Sequence, residues 1–560
     1  MTAFLNFQRQ LNLWLEHIAP HVSDLQKKTI LFISYGPKDQ RCNVWHSEKT
    51  SFSQAKIQLL AFINDQFAHE SLVDYIKIDV AYNLTKQTWK VVEQQVHHQF
   101  HNNHYRKGIG FDEHCSVAFL EQEIYGKAII RGLSYDKPNF FDETNLNYAI
   151  KQKYNATKPQ IKPQIKLQEL QDIWTFDTYA AFYENGQFIN LASGNHANGI
   201  RAISSNKKQH FQSLIEKNSA FLHDQIQENG KFIYGYFSAY DRDIRNYNTV
   251  RHCTSVYALL ETFEVQSKPE YWPKIHAAIQ YALTNFYKEK DSETAFMIDG
   301  KEGEFEIKLG ANAAAILMLT KYQEITQKTN YQKYAEKLAN SILKLIDSNG
   351  STTHVLSYPD YDLKEKFRII YYDGEAALAL LRLYQINQDY RLLETVKLMF
   401  EYFIEKRYEK YHDHWLSYCT NELTKICPED KYFIFGLNNY LKHFIFIRNR
   451  KTTYATLLEM LMAAYKMVSR LKEQGRTALF EQAYMPELQK LIEFRADFQT
   501  TGFFYPEMAM YMARPDKILH AFYIRHDRFR VRIDDQEHNL SGYIAYVKDY
   551  KDMNHEISTR

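Results

Sequence analysis

The chain has 560 residues, enough for a large buried core and two domains. Lys and Arg number 69 against 67 Asp and Glu, so the formal charge of +2 argues against a nucleic-acid-binding surface or an acidic tail. Five scattered cysteines favour a reducing cytoplasm over a disulfide scaffold. The first twenty residues predict an amphipathic helix instead of a signal peptide, and no apolar run is long enough for a membrane span.

The first 150 residues predict an N-terminal α/β or α+β module, because strand-like and helix-like runs alternate there. The predicted strands are TILFISYG, LVDYIKIDVAY and a short GKAIIRGL, and the predicted helices are 51–67 and 85–100. Glu121 and Glu123 indicate a capped or solvated helix. We leave open a protein partner that binds through this module.

A proline-containing stretch without apolar periodicity, residues 151–168, predicts a linker between 1–150 and a second domain at 169–560. The second domain opens with extended segments around Asn185-Gly186, a dipeptide typical of a hairpin turn. The following segment SGNHANGIR is a polar loop that could close over a site, or a simple turn.

Twelve helices follow, and they alternate between a small-residue type and a charged type. Six helical hairpins in sequence bury their apolar faces by closing into an (α/α)6 toroid, with the small-residue helices inside. We therefore predict an all-α toroid with helices at 209–228, 250–264, 270–289, 309–325, 331–348, 371–387, 389–407, 414–424, 431–445, 452–472, 476–496 and 534–549.

The long predicted loops all lead into the same ends of the inner helices, so those ends are expected to form one functional face. An isolated acidic residue at a helix start is explained by capping, but RVRIDDQEH concentrates two arginines, three carboxylates and a histidine. The polar residues predicted at this face are Tyr247, Asn248, Arg251, His252, Lys308, Asn312, Tyr371, Tyr372, Asp373, Glu375, Asp413, His414, Trp415, Arg532, Asp534, Asp535, Glu537 and His538.

Two kinds of chemistry fit these residue types. Cleavage of a glycosidic bond needs one protonated and one ionised carboxyl group, which Asp373 or Glu375 could supply together with Asp534 or Asp535. Proton abstraction at a sugar carbon favours histidine, and His252, His414 and His538 are available. The histidines and cysteines lack zinc-site spacing, and phosphate-binding and dinucleotide-binding motifs are missing, so we predict neither a metal nor a cofactor.

The segments RHCTSVYALLE, LGANAAAILML, YYDGEAALALLRLY and RIDDQEHNLSGY resemble the six-hairpin glycosidase-like superfamily, over about residues 200 to 550. That superfamily includes glycoside hydrolases, unsaturated uronyl hydrolases and N-acylglucosamine 2-epimerase-like proteins. The resemblance implies an inner-helix funnel with acid and base residues that commonly acts on carbohydrate. It does not select one reaction, since the same fold hosts lanthionine-cyclase-like and terpenoid chemistry.

The resulting hypothesis is a cytoplasmic, glycoside hydrolase-like enzyme that acts on an anionic envelope or capsular oligosaccharide. The alternatives are a sugar epimerase or isomerase that uses histidines, and a non-catalytic binding or assembly module in polymer biosynthesis. The predicted catalytic residues are Asp373, Glu375, Asp534, Asp535 and His538. The predicted substrate-binding residues are Arg251, His252, Asn312, Tyr371, Tyr372, Trp415 and Arg532.

Overall fold

A computed structural model describes residues 3–23, 28–67, 73–98, 104–125, 141–155 and 164–551. The chain divides into two compact units, each built from several segments. The sheet unit comprises Met1–Ser204, Tyr236–Ile244 and Thr501–Val531, and the helical unit comprises Ser205–Gly235, Arg245–Thr500 and Arg532–Arg560.

The sheet unit is α+β, because every strand ladder in its seven-stranded sheet is antiparallel. The strand order is β2-β1-β3-β6-β4-β5, and β7 also pairs with β6. The strands are β1 (Leu31–Gly36), β2 (Asn43–His46), β3 (Tyr75–Thr88), β4 (Gly108–Gly110), β5 (Ala118–Phe119), β6 (Asp172–Glu184) and β7 (Gln187–Leu191). The helices are α1 (Ala3–Ser23), α2 (Phe52–Phe67), α3 (Trp89–His97), α4 (Glu121–Ile124), α5 (Glu143–Tyr154) and, late in the chain, α19 (Pro506–Ala509).

Several local predictions for this unit are confirmed, including β1, α2, the amphipathic α1 and the hairpin turn at Asn185-Gly186 between β6 and β7. The predicted helix 85–100 begins later, because Thr85 to Thr88 continue β3 and pair with β6. Thr88 then accepts a hydrogen bond from Val91 N and caps α3. The predicted strand GKAIIRGL lies outside the described residues.

The boundaries of the units differ from the expected linker at 151–168. Residues 151–154 form the last turn of α5, and residues 156–163 lie outside the described part of the chain. The long strand β6 follows the expected linker but pairs with β3, which places it in the sheet unit. Sequence-local composition cannot reveal such a pairing, since it joins segments about ninety residues apart.

Of the two predicted carboxylates of α4, Glu121 is buried and Glu123 is half-buried, and both are paired rather than solvated. Glu121 pairs with Arg106 at 3.0 Å, and Asn198 donates to its second oxygen. Glu123 caps the start of α4 by accepting from Leu120 N at 2.8 Å, and it also pairs with Lys153 at 2.8 Å. The capping part of the expectation is therefore confirmed, and the solvated part is wrong because cationic side chains enclose both groups.

The helical unit contains two sets of helices. The inner set is α7 (Thr249–Glu261), α9 (Leu309–Thr326), α11 (Tyr371–Asn387), α13 (His414–Ile426), α16 (Thr456–Glu473) and α20 (Ile533–Asp549). The outer set is α6 (Lys207–Asp224), α8 (Trp272–Asn285), α10 (Gln332–Lys344), α12 (Tyr390–Glu405), α14 (Asp430–Leu441) and α18 (Met485–Gln499), with the short α15 (Phe444–Asn449) and α17 (Thr477–Gln482) between them.

Each inner helix packs on the next one, and α20 packs back on α7, so the ring closes. The helical unit is an (α/α)6 toroid. Its inner helices are buried almost all round; in α9, for example, every residue from Leu309 to Tyr322 is buried. The predicted helix 476–496 is split, because Tyr484 adopts a left-handed backbone and Pro486 opens α18.

The long connections that precede α9 and α11 carry a second, five-stranded antiparallel sheet. Its strands are β10 (Tyr287–Glu289), β11 (Ala295–Asp299), β12 (Glu306–Lys308), β13 (Val355–Ser357) and β14 (Leu363–Glu365). The remaining short strands are β8 (Gly235–Phe237), β9 (Arg242–Asp243) and β15 (Arg530–Arg532). Strand β12 runs directly into α9, so this sheet lies at the N-terminal ends of the inner helices. Among the described residues no helix is both long and apolar enough to span a membrane.

Candidate active site

Two arginines enclose Asp534 at the start of α20. Arg251 Nε donates to Asp534 Oδ2 at 2.8 Å, while Arg532 donates to both carboxylate oxygens at 2.5 and 2.6 Å. Arg251 also donates to the hydroxyl of Tyr234 at 2.7 Å. Because guanidinium groups donate to both oxygens, Asp534 holds the two arginines in place. The two arginines therefore bind the same carboxylate.

Asp373 is completely buried at the start of α11. Thr352 Oγ1 donates to its Oδ1 at 2.6 Å, and His354 Nε2 donates to its Oδ2 at 3.0 Å. The other ring nitrogen of His354 accepts from Arg368 N at 2.9 Å, which fixes the tautomer. Asp373 therefore ties the preceding loop to the helix and offers no exposed oxygen to a substrate.

Glu375, two residues further along α11, has the opposite environment. Its side chain is buried, and its Oε2 has no hydrogen-bond partner among the described residues. A Cβ on Gly310 of α9 would stand 2.3 Å from that oxygen, so the glycine makes room for the carboxyl group. Burial, reinforced by the negative charges of Asp413 and Glu537, raises the pKa of Glu375 well above its usual value. Glu375 is thus a neutral carboxylic acid with an unused oxygen.

His414 opens α13 and is oriented by its neighbour. Its Nδ1 lies 3.1 Å from Asp413 Oδ1, while the other oxygen of Asp413 accepts from Leu416 N and caps the helix. A carboxylate only accepts, so Nδ1 carries a proton, and in the neutral form of the ring Nε2 presents a lone pair. That Nε2 is buried and has no partner among the described residues. Asp413 thereby prepares His414 as a base.

His538 of α20 faces His414, with ring centroids 5.2 Å apart in an edge-to-face arrangement. Its Nδ1 lies 2.9 Å from Glu459 Oε2 and 3.3 Å from Glu537 Oε1. Burial alone would lower the pKa of His538, but Glu537 and Glu459 raise it to about 10. Burial raises the pKa of Glu537 as well, and the opposing charge of His538 counteracts that rise. His538 is therefore held protonated where it faces the His414 ring.

The same place could hold a cation. In the part of the chain that the structure describes, His414, Glu459 and His538 form a group whose potential ligand atoms lie within 4.8 Å of one another. Three protein ligands are the usual number at a catalytic zinc. However, His538 Nδ1 and Glu459 Oε2 already contact each other at 2.9 Å, so a metal bound through these two atoms would have to displace that hydrogen bond. Our expectation of no metal stays a prediction.

Two predicted binding residues point away from this centre. His252 is completely buried, with Nδ1 2.7 Å from the hydroxyl of Tyr247 and Nε2 2.8 Å from the carbonyl of Ala278 in outer helix α8. Asn312 accepts from Met297 N and donates to the carbonyl of Lys308, so it fastens β11 to α9. All polar atoms of these side chains are engaged in the fold, which leaves them no group for a substrate.

His252 gives a pH-dependent stability. Burial lowers its pKa to about 4, from 6.5 in an unfolded chain. Between these pH values His252 binds a proton in the unfolded chain but not in the native state. Its contribution to the free energy of unfolding is therefore full above pH 6.5 and falls as the pH drops toward 4. We expect His252 to account for about 3 kcal/mol of this loss. Urea unfolding between pH 4 and 7 should show a flatter stability curve for His252→Gln; an unchanged curve would contradict the assignment.

The predicted aromatic residues have different positions. The Tyr371 ring is 5.6 Å from the His414 ring and is partly exposed, whereas Trp415 is buried behind His414 at 5.0 Å. Tyr372 packs on His354. Asp535 is 7% exposed next to Asp534, which leaves it near the site without a defined role.

Sequence analysis missed Glu459. This residue lies in the first turn of inner helix α16, 1% exposed, where it also accepts from the Tyr418 hydroxyl at 3.0 Å. The available signal was its isolation, since it is the one charged residue in the run from Thr452 to Tyr465. A lone carboxylate in an apolar inner helix must find a partner inside the ring.

No family model matches the sequence, and no curated protein matches it. Solved structures similar to this chain include cellobiose 2-epimerase from Bacillus thermoamylovorans B4167, with 13% identity, 62% of this chain and 100% of that chain covered, and a TM-score of 0.47. A D-mannose isomerase matches with 12% identity, 61% and 98% coverage and a TM-score of 0.46. The GH76A α-1,6-mannanase from Salegentibacter sp. HEL1_6 matches with 11% identity, 60% and 98% coverage and a TM-score of 0.43. At these scores the ring packing, and not the similarities, establishes the toroid.

Proposed function

We propose that this protein is a carbohydrate-active enzyme that interconverts sugars by proton transfer, with His414 and His538 as the acid–base pair. One observation carries the proposal: Nε2 of His414, which has no partner among the described residues, lies on the ring that faces the protonated His538, while Nδ1 of His414 contacts Asp413. Acid–base catalysis needs one group of each protonation state within reach of a single reacting carbon. The two rings supply this pair on facing inner helices.

The reaction would proceed at an open-chain sugar. His414 Nε2 removes the proton from the carbon next to the carbonyl group, and the C–H electron pair forms the double bond of an enediolate. Protonated His538 donates a proton to the enediolate carbon, so the sugar keeps its composition and no water is consumed. Proton exchange with solvent then removes the proton from His414 and restores the one on His538. Glu375, neutral and with a free oxygen, would donate a hydrogen bond to the oxygen that becomes negative.

The arginines suit an acidic or polyhydroxylated sugar. Arg251 keeps 35% of its side chain exposed while Asp534 orients it, and Arg532 pairs with the same carboxylate. A guanidinium group binds carboxylates with two parallel hydrogen bonds. A uronate or a sugar with vicinal hydroxyl groups therefore fits this end of the ring.

Glycoside hydrolysis is the second candidate, and Glu375 favours it. A protonated, buried carboxyl group is what a glycosidase uses as its general acid. An ionised carboxylate must then act as base or nucleophile; Asp534 is occupied by two arginines, so Asp535 is the remaining carboxylate of the predicted set. A non-catalytic binding role is the third possibility, and it requires no particular protonation state.

Product analysis separates these functions. Reducing monosaccharides, neutral disaccharides and uronate oligosaccharides would be incubated with the protein, with and without a chelator, and analysed by mass spectrometry and NMR. We expect an isomer of unchanged mass, formed equally well with the chelator. Fragments that have gained one water would support hydrolysis instead. Loss of activity with the chelator would support a bound cation at His414, Glu459 and His538. Binding without any product would support a non-catalytic binding module.

Glu459 is expected to position His538 and to maintain its charge. Glu459→Gln removes one of the three carboxylates, Glu537, Glu459 and Asp534, that raise the pKa of His538, so the pKa should fall by about one unit or more. In the wild type, activity should be lost as the pH rises through about 10, because His538 then gives up its proton. In the variant this alkaline loss should begin at lower pH, with kcat near neutrality less affected. A pH profile of kcat/KM that does not move would contradict this role.

A further inference from the structure

A strip of aromatic side chains leads away from His414 along the segment 443–454. Tyr371 contacts the His414 ring and is hydrogen-bonded to Tyr454 through its side chain. The Tyr454 ring lies 6.4 Å from that of Phe446, which stacks on His443 at 4.3 Å. Each contact joins the next, so the strip is continuous with the proposed active site.

An arginine is inserted between two of these rings. The Arg450 guanidinium lies 5.3 Å from the Phe446 ring centre and 5.1 Å from the Tyr454 ring centre, and its Nε donates to Thr452 Oγ1 at 2.7 Å. Within the described residues no carboxylate pairs with it. Stacked in this way, the cation is held in place while its outer N–H groups stay available to an anion.

The backbone that carries the strip is held in place by buried hydrogen bonds, although the aromatic rings are exposed to solvent. Phe446 is 39% and Tyr454 is 38% exposed. Beneath them the completely buried Arg495 donates to the carbonyls of Arg450 at 3.2 Å and Thr452 at 3.0 Å, which fixes the backbone. A preorganised surface loses little entropy when it binds a ligand.

The charge of the segment is uniformly positive. No Asp or Glu occurs between Asp430 and Glu459, whereas Lys442, Arg448, Arg450 and Lys451 do. Of these, Arg448 is neutralised by an ion pair with Glu487. Charge complementarity therefore favours an anionic ligand on this surface, which otherwise consists of exposed aromatic rings.

We infer that this strip, formed by Tyr371, Tyr454, Arg450 and Phe446, binds an acidic oligosaccharide whose reducing end lies at His414. The inference rests on the proposed sugar chemistry and adds the substrate class, a chain of several sugars with carboxylate groups. Sugar rings stack on Tyr454 and Phe446, and Arg450 binds a carboxylate between them. Monosaccharides reach the catalytic centre without using the strip.

Equilibrium binding tests this inference independently of turnover. Hexagalacturonate, cellohexaose, galacturonic acid and a single-stranded oligo(dT) would be titrated into the wild type and into Phe446→Ala, Arg450→Gln and Tyr390→Ala. Tyr390, 68% exposed on outer helix α12, is the matched control for loss of an exposed aromatic ring. A melting curve of each variant confirms folding.

We expect Arg450→Gln to weaken hexagalacturonate binding about tenfold and cellohexaose binding little, and Phe446→Ala to weaken both about fivefold. Tyr390→Ala should change neither, and the monomer should be insensitive to all three. Equal affinities in all variants, no binding of hexagalacturonate to the wild type, or tighter binding of oligo(dT) would overturn the inference. If the strip variants weaken hexagalacturonate binding but the protein converts no sugar, the binding site is supported and the proposed reaction is contradicted.

Discussion

His414→Gln is expected to lower kcat by about two to four orders of magnitude while leaving the fold intact. Glutamine can still donate a hydrogen bond to Asp413, as His414 Nδ1 does, but it has no basic nitrogen at the position of Nε2. The measurement is the rate of sugar conversion at saturating substrate, together with the thermal melting temperature. The melting temperature should change little, since the lost atom has no partner within the described residues.

His252→Gln is the matched control for this variant. It makes the same chemical change at a histidine that is equally buried but bonded to Tyr247 and Ala278 on the outer side of α7. We expect it to reduce stability near neutral pH and to retain kcat. If both histidine variants lose activity in proportion to their stability, or if His414→Gln keeps wild-type kcat, His414 is not the base.

Glu375→Gln is expected to lower the activity and to raise the stability of the fold. Turnover should fall by about two orders of magnitude, because glutamine is a weaker hydrogen-bond donor than a carboxylic acid and has no proton to transfer. Stability should rise. The folded pKa of Glu375 lies well above the unfolded value, so the native state is penalised increasingly as the pH rises beyond about 4.5, and glutamine does not titrate.

Glu422→Gln on the neighbouring helix α13 provides the contrasting control. Burial would raise the pKa of Glu422, but Arg382, whose guanidinium is 3.3 Å away, lowers it to about 2. This carboxylate stabilises the fold above pH 4.5 and stops doing so as the pH falls toward 2. Its replacement should therefore destabilise the protein at neutral pH. Urea unfolding that gives both glutamine variants the same sign would refute the protonation state assigned to Glu375.

The toroid could be predicted from the sequence because its signal is local. Helix periodicity, runs such as LGANAAAILML and the alternation of two helix types indicate six hairpins without knowledge of any distant contact. The Asn185-Gly186 turn was equally local. The sheet unit was harder, because β6 joins β3 over a long sequence separation, and segments from three parts of the chain form one unit.

The site was predicted in outline and not in detail. The sequence places Asp373, Glu375, Asp534 and His538 at inner-helix starts, but it does not tell which carboxylate is tied to His354, which is enclosed by arginines and which is left without a partner. Those differences arise from side chains on other helices that only ring closure brings together. Glu459 and the pairing of His414 with His538 depend on the same closure.

Transfer of solvent deuterium to a sugar carbon is the most direct test of the central claim. The protein would be incubated in D2O with the sugar it converts, and NMR would follow the hydrogen on the carbon next to the carbonyl group. The proposed His414–His538 pair predicts that this hydrogen is replaced by deuterium in the product, and that His414→Gln abolishes the exchange. Conversion that leaves this hydrogen in place and instead incorporates oxygen from labelled water would contradict proton transfer and assign the site to hydrolysis.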